Sequence, residues 1–296
     1  MIKRYQWKLK QRELILAERT LLIGVLNVTP DSFSDGGTYA DPDRAFARAI
    51  ELEELGADII DIGAESTKPG SQRISEAEEL RRLVPVLKRL RGKLAIPISV
   101  DTYKSQVAEK AIEHGAEIIN DPTGLVLDLH ISKVVAKAGA GLIINHMRGT
   151  PETWVKLPPL KNLMRSIHID LEASIHRSRQ AGVEKHQLVI DPGLGFGKRR
   201  EQNSQILAQL GELRTFDLPI LVGPSRKSFL RKEDTNDTEF ATAAAVTAAI
   251  LNGAQMVRVH DVKAMKTVAE IADSIRAAAS AEVEPAPVQA RWQRGQ

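Results

Sequence analysis

The residues able to do chemistry recur along this chain in one arrangement: each closes a short apolar run. They are Asn27; Asp61 with Glu65-Ser66-Thr67; Asp101; Asn120-Asp121; Asn145-His146; Asp191; Ser225-Arg226-Lys227; and Arg258-Val259-His260. Sorted by charge, they fall into two kinds. Asp101, Asn120 and Asp191 suit the donor-rich edge of a flat heterocycle, because a carboxylate accepts two N–H bonds side by side. Lys227, Arg226, Arg258, His260 and Lys68 are cationic or can become so, and suit phosphate or diphosphate oxygens. Any one polar residue closing an apolar run is ordinarily a solvated loop position. Eight in succession point to one binding site with a heterocycle half and an anion half. The chain has no Walker sequence, and Gly193-x-Gly195-x-Gly197 lacks the full Rossmann fingerprint, so that glycine run reads as turn-forming.

The runs carrying these groups are continuous rather than alternating, as in strands buried on both faces. They occupy residues 21–26, 59–62 and 96–100, followed by those within HGAEIIND, AGAGLIINHMRG, HQLVIDPGLGFG, LPILVGPSRKSF and NGAQMVRVHD. Helical periodicity fills the intervals. Asp41 with Pro42 starts one helix that Gly56 stops, and Ser75 with Glu78 forms a capping box for another reaching about residue 90. Further helices are expected over about residues 104–113, 131–138, 161–180, 202–210, 240–251 and 262–279. Gly56-Ala57, Gly115-Ala116, Gly139-Ala140 and Gly253-Ala254 each precede a strand, and each glycine suits a helix C′ position. Eight strands alternating with eight helices predict an α/β fold, a single (β/α)8 TIM barrel, rather than an open doubly wound sheet.

Alternation of apolar and charged residues around Tyr5, Trp7, Leu9, Leu14 and Leu16 predicts a short β-hairpin before the first core strand. The expected organisation is a hairpin over 1–20 packed on the barrel, a catalytic barrel over 21–280, and a disordered tail over 281–296, where periodicity is lacking.

With 296 residues and 43% hydrophobic content, the chain can build a full core. Its net charge of +3 comes from 41 basic and 38 acidic residues scattered among one another, which indicates no nucleic-acid stripe. The cysteine count of 0 removes disulfides, thiolate catalysis and cysteine-ligated metals. No signal peptide is apparent, and no apolar run approaches the ~18 residues that span a bilayer, so a soluble cytoplasmic protein without membrane or nucleic-acid partners is expected.

Several motifs together resemble one family. They are NVTPDSFSDGG at 27–37, ESTKPG at 65–70, SVD at 99–101, IND at 119–121, DPGLGFGK at 191–198, GPSRKSF at 223–229 and RVHDV at 258–262, in that order over residues 21–261. The chain resembles the dihydropteroate synthases, (β/α)8 pterin-binding enzymes of folate synthesis and sulfonamide targets. They join 6-hydroxymethyl-7,8-dihydropterin diphosphate to 4-aminobenzoate and release diphosphate. The resemblance implies that Asp101, Asn120, Asp191, Lys227 and Thr67 hold the pterin, with Asp101, Asp191 and Lys227 carrying the chemistry. It implies that Arg258, His260 and Lys68 receive the diphosphate, and that Asn27 helps bind Mg²⁺. Phe33, Thr67, Pro69, Phe196, Lys227 and Ser228 would form the aminobenzoate pocket, partly from two loops that close over it. A homodimer is expected by the same resemblance.

Three positions depart from the family pattern: Lys68 where Arg is common, Asn145 where Met is more frequent, and Pro122 where Val is usual. The first keeps charge and loses a bidentate fork; the second puts an amide against the pterin pocket, and the third stiffens the fourth loop. Two other functions fit a barrel of this kind: a pterin-binding methyltransferase acting with a corrinoid partner, and a non-catalytic pterin-binding barrel. The SRKSF and RVH stretches together favour the synthase over the first. The complete set of polar strand ends favours it over the second.

Overall fold

Strands buried on both sides need an apolar face toward helices and another toward the barrel axis, and the short apolar runs supply both. The computed structural model describes residues 3–16, 19–29, 41–66 and 70–280. The expected roles of Phe33, Thr67, Lys68 and Pro69, and the expected tail, lie outside those residues. Strands β1 (Tyr5–Lys8) and β2 (Glu13–Leu16) pair antiparallel as the expected hairpin. Eight parallel strands follow: β3 (Leu21–Asn27), β4 (Ile59–Gly63), β5 (Ile98–Asp101), β6 (Ile118–Asp121), β7 (Gly141–Asn145), β8 (Leu188–Asp191), β9 (Leu221–Val222) and β10 (Met256–Val259). Their order is β8-β7-β6-β5-β4-β3-β10-β9. The bridge between Ile190 and Ile220, with Ile190 N donating to Pro219 O at 3.0 Å, joins β8 to β9 and closes the ring. This is the predicted (β/α)8 barrel.

Helices α1 (Pro42–Glu54), α2 (Glu76–Leu90), α3 (Ser105–Glu113), α4 (His130–Ala138), α5 (Leu163–Gln180), α6 (Arg200–Ala208), α7 (Thr235–Leu251) and α8 (Val262–Ser280) form the outer layer. The Asp41 carboxylate caps α1 by accepting from Asp43 N. At α2, Ser75 accepts from Glu78 N as expected, while the Glu78 carboxylate pairs with Arg81 and Arg82. α7 begins five residues earlier than expected, at Thr235 rather than residue 240, because Asp234 caps it by accepting from Asn236 N and Asp237 N. Gly56, Gly115, Gly139 and Gly253 all take positive φ at the turns into strands. Among the described residues no helix is long and apolar enough to cross a membrane.

Two apolar cores result from the period of two along each strand. Ile60, Ile62, Ile119, Ile144, Ile190 and Val257 pack with the helices. Ile23, Ile59, Ile118, Ile143, Val189 and Met256 pack instead in the barrel interior, together with Trp7, Leu9 and Leu16 of the hairpin region. The hairpin therefore plugs the floor of the barrel. Trp7 is fully buried, and its indole N–H donates to Gln187 O at 2.8 Å. Gly141 admits this plug, since a Cβ there would lie 2.6 Å from Leu9 Cδ2.

Candidate active site

On five strands, the same face carries a polar residue two positions beyond an interior apolar one. Ile59 is followed by Asp61, Ile118 by Asn120, Ile143 by Asn145, Val189 by Asp191 and Met256 by Arg258. A polar layer thus sits directly on an apolar one at the C-terminal ends of the strands, where barrels of this kind do chemistry.

Arg258 occupies the middle of this layer. Its Nε donates to Asp61 Oδ2 at 2.6 Å and its Nη2 to Asp101 Oδ2 at 3.0 Å, while Asn120 Nδ2 donates to Asp61 Oδ2 at 3.2 Å. Asp61 is fully buried. The arginine expected in the anion half is therefore engaged with Asp101 of the heterocycle half, and Asp61, bonded to both Arg258 and Asn120, joins the two. Burial pushes the Asp101 carboxyl up to about 7, with Arg258 opposing and Asp61 adding to the rise.

Asp191 closes β8 with Oδ1 accepting from Gly193 N at 2.7 Å. Burial raises its carboxyl to about 6 against that hydrogen bond. Gly193, Gly195 and Gly197 all have positive φ, and a Cβ at Gly193 would stand 2.0 Å from His146 O. The turn-forming reading of this run holds, with a further element. The buried Lys198 ammonium donates to the carbonyls of His146, Pro192 and Gly193 at 2.7 to 2.8 Å, tying the loop after β7 to the loop after β8.

Lys227 follows Arg226, whose φ of 56° turns the chain sharply. Its ammonium lies 4.1 Å from the Phe196 ring centroid. Burial and the nearby Arg258 lower it to about 8, with Asp191 and Asp101 opposing. The Arg226 guanidinium turns to Glu239, at 2.6 Å. His260 Nδ1 lies 2.9 Å from Ser225 Oγ, and its backbone N–H donates to the same oxygen at 3.2 Å.

Asn27, Asp101, Lys227, Ser228, Arg258 and His260 all line one cavity of about 890 Å³. Some polar strand ends do other work. Asp121 accepts from Thr123 N, Thr123 Oγ1 and Leu125 N, and so shapes a turn. His146 is buried against Asp170, at 3.0 Å, and burial lowers its imidazole to about 4. Glu65 is held by Tyr103 and Lys104. The amide of Asn145 donates to Pro122 O at 2.6 Å, so two of the three departures from the family pattern meet in one hydrogen bond.

The sequence places Asp61 among the polar strand ends but in neither half of the site, and assigns no role to Lys198 or Trp154. The two-residue spacing from Ile59 was a signal for Asp61. Trp154 had none, since it reaches the cavity from a loop and meets Phe196 only in the fold.

Residues 23–260 match the pterin binding enzyme family. The chain belongs to that family, a class of barrel enzymes consistent with the polar layer described above. A dihydropteroate synthase of Synechocystis is 42% identical over 262 residues, 87% of this chain and 91% of that protein. Among solved structures, a dihydropteroate synthase of Clostridium difficile determined in the presence of pteroic acid is 42% identical, with a TM-score of 0.82 over 87% of this chain and 97% of that one. One from Xanthomonas albilineans with 4-aminobenzoic acid is 37% identical, with a TM-score of 0.84 over 92% and 99%.

Proposed function

We propose that this chain is a dihydropteroate synthase of folate biosynthesis, condensing 6-hydroxymethyl-7,8-dihydropterin diphosphate with 4-aminobenzoate to give 7,8-dihydropteroate and diphosphate. The observation carrying this reading is the polar layer itself: Asn120 bonds Asp61 and Arg258 bonds Asp61 and Asp101, Asp191 lies near enough to Lys227 to act on its charge, and Asp101, Lys227, Arg258 and His260 line one cavity. The similar synthases named above favour it over a corrinoid-dependent methyltransferase or a non-catalytic barrel.

Asp191 and Asn120 hold the donor edge of the pterin, with Lys227 and Thr67 completing that half. The C–O bond to diphosphate breaks with cationic character at the pterin methylene. Asp101, whose carboxyl lies close to that charge in this assignment, stabilises it, and the amine of the aminobenzoate then attacks. His260, Arg258 and Lys68 receive the diphosphate oxygens. Because Arg258 is shared with Asp61 and Asp101, it balances the carboxylates as well as the leaving group. Phe196, Lys227 and Ser228, with Phe33, Thr67 and Pro69, form the aryl pocket.

A magnesium ion fits as a companion of the diphosphate rather than as a resident metal. Among the described residues no cluster of three or more His, Cys, Asp or Glu could hold one, whereas Asn27, at the end of β3, lines the cavity and carries one amide oxygen. Magnesium commonly keeps its waters and binds through substrate phosphates with few protein ligands. Asn27 would hold it, and when bound it would neutralise charge on the leaving diphosphate.

The barrel over 21–280 acts as one catalytic domain in the cytoplasm. A homodimer is supported by exposed apolar residues on α7 and α8, with Phe240 73%, Ile271 59% and Ile275 49% exposed. Binding order tests the reading. Calorimetry should find that the pterin diphosphate binds alone, and that 4-aminobenzoate binds tightly only with diphosphate and Mg²⁺ present. Aminobenzoate affinity independent of diphosphate would overturn it.

A further inference from the structure

Trp154 sits on the loop after β7, which the reading of the site gives no part. That loop is nonetheless built firmly against the cavity. Thr153 N and Trp154 N both donate to Thr150 O, at 2.8 and 3.1 Å, and Thr150 N donates to Thr153 Oγ1 at 2.9 Å. Arg199 Nη2 donates to Leu157 O at 2.9 Å, and a Cβ at Gly197 would stand 2.2 Å from Arg148 O, so the loop after β8 lies closely alongside. On the other side, Gly70 N donates to Pro151 O at 3.1 Å and Arg73 pairs with Glu152 at 3.5 Å. The segment thus braces the far end of the second loop and the glycine-rich loop together.

From this frame the indole, 8% exposed, lines the cavity that holds Lys227. Its ring meets Phe196 at 5.4 Å between centroids with planes 75° apart, while the Lys227 ammonium lies 4.1 Å from the same Phe196 centroid. Phe196 is therefore held between two partners, and an edge-to-face contact fixes the plane of a ring that could otherwise rotate. The ammonium contact depends on that plane.

A second observation separates Trp154 from an ordinary packing residue. Its Nε1–H is buried with no acceptor among the described residues, whereas the other described indole, Trp7, donates to Gln187 O. An orphaned donor is a cost that a purely apolar side chain in this wall would not carry.

We propose that Trp154 is a specificity-determining residue for the arylamine substrate: acting through Phe196, it sets the width of the slot that receives 4-aminobenzoate. This rests on the synthase reading above. A smaller apolar side chain frees the Phe196 ring, so the slot holds 4-aminobenzoate less well and tolerates a wider ring better. The pterin half, built from Asp101, Asn120 and Asp191 on the strands, is unaffected.

The test compares Trp154→Leu and Trp154→Phe with the wild-type chain, with pterin diphosphate saturating. Trp154→Leu should raise KM for 4-aminobenzoate by about fivefold and narrow the kcat/KM preference over 4-amino-3-methylbenzoate by a similar factor. Trp154→Phe keeps an aromatic edge and should restore most of both, while pterin affinity stays unchanged in each. An unaltered preference in Trp154→Leu, or pterin affinity falling in parallel with aminobenzoate KM, overturns the proposal. Should Trp154→Leu fail to fold, emission decides: bound 4-aminobenzoate should alter the Trp154 fluorescence that distinguishes wild type from Trp154→Phe, and an unaltered signal counts against the proposal. A wild-type chain that forms no dihydropteroate contradicts the synthase reading instead. Turnover in the wild type with indifferent variants contradicts only the role of Trp154.

Discussion

Arg258 and Asp61 meet at 2.6 Å inside the barrel, with the Asp61 side chain wholly buried and the Arg258 side chain 19% exposed. The pair joins β10 to β4 across β3, and Asp101 and Asn120 complete it. Removing Asp61 leaves the Arg258 charge with Asp101 as its remaining carboxylate partner, and breaking a buried ion pair by removing one member is strongly destabilising. Asp61→Ala should therefore destabilise the fold by about 3 kcal/mol and lower kcat/KM. Urea unfolding checks the first effect; an unchanged midpoint would show that Arg258 does not need this partner.

Asp191→Asn should weaken pterin binding by about 1.5 to 3 kcal/mol, the usual worth of a charge-assisted hydrogen bond. Oδ1 is already turned to Gly193 N, so the amide must also choose which atom faces that donor. Calorimetry with the pterin diphosphate measures the loss. Equal affinity in the two proteins would remove Asp191 from the pterin site.

Pterin affinity should pass through a maximum with pH. Asp191 accepts N–H bonds as a carboxylate, and its raised value of about 6 means that this form is lost as pH falls through about 6. Asp101, near 7 through burial, widens the acid limb. Lys227 contributes as a cation, and its lowered value of about 8 means that the charge is lost as pH rises through about 8. Calorimetric titrations from about pH 5 to about pH 9 follow both limbs. A flat profile would show that neither group titrates where its burial places it.

Lys198 makes three hydrogen bonds to backbone carbonyls, and desolvation pushes its ammonium well below the ordinary lysine value. Lys198→Met keeps the stem and leaves those oxygens without their donor, so a loss of about 2 to 3 kcal/mol is expected. Thermal unfolding reads it, and Tm should fall by several degrees. A Tm equal to wild type would mean that the two loops hold together without this bridge.

The barrel was legible because its strands are short, buried on both faces and each closed by a polar residue, while glycines such as Gly115 and Gly253 mark the turns between helix and strand. The direction of individual polar side chains was harder to read. Asn120 and Asp121 are neighbours, both polar and of similar size, yet period two sends one into the barrel and the other into a turn. Arg258 and His260 looked alike as anion ligands, but only the fold brings Arg258 onto Asp61 and Asp101. The contact of Trp154 with Phe196 depends on two loops far apart in sequence, and no local spacing encodes it.

Turnover decides whether this polar layer carries out a synthase reaction. The purified chain should be incubated with 6-hydroxymethyl-7,8-dihydropterin diphosphate, Mg²⁺ and 4-aminobenzoate, and dihydropteroate and diphosphate measured together. Equimolar formation of both, dependent on 4-aminobenzoate and sharply reduced in Asp191→Asn, is the predicted result. Diphosphate release without dihydropteroate, or neither product with both substrates saturating, would contradict it.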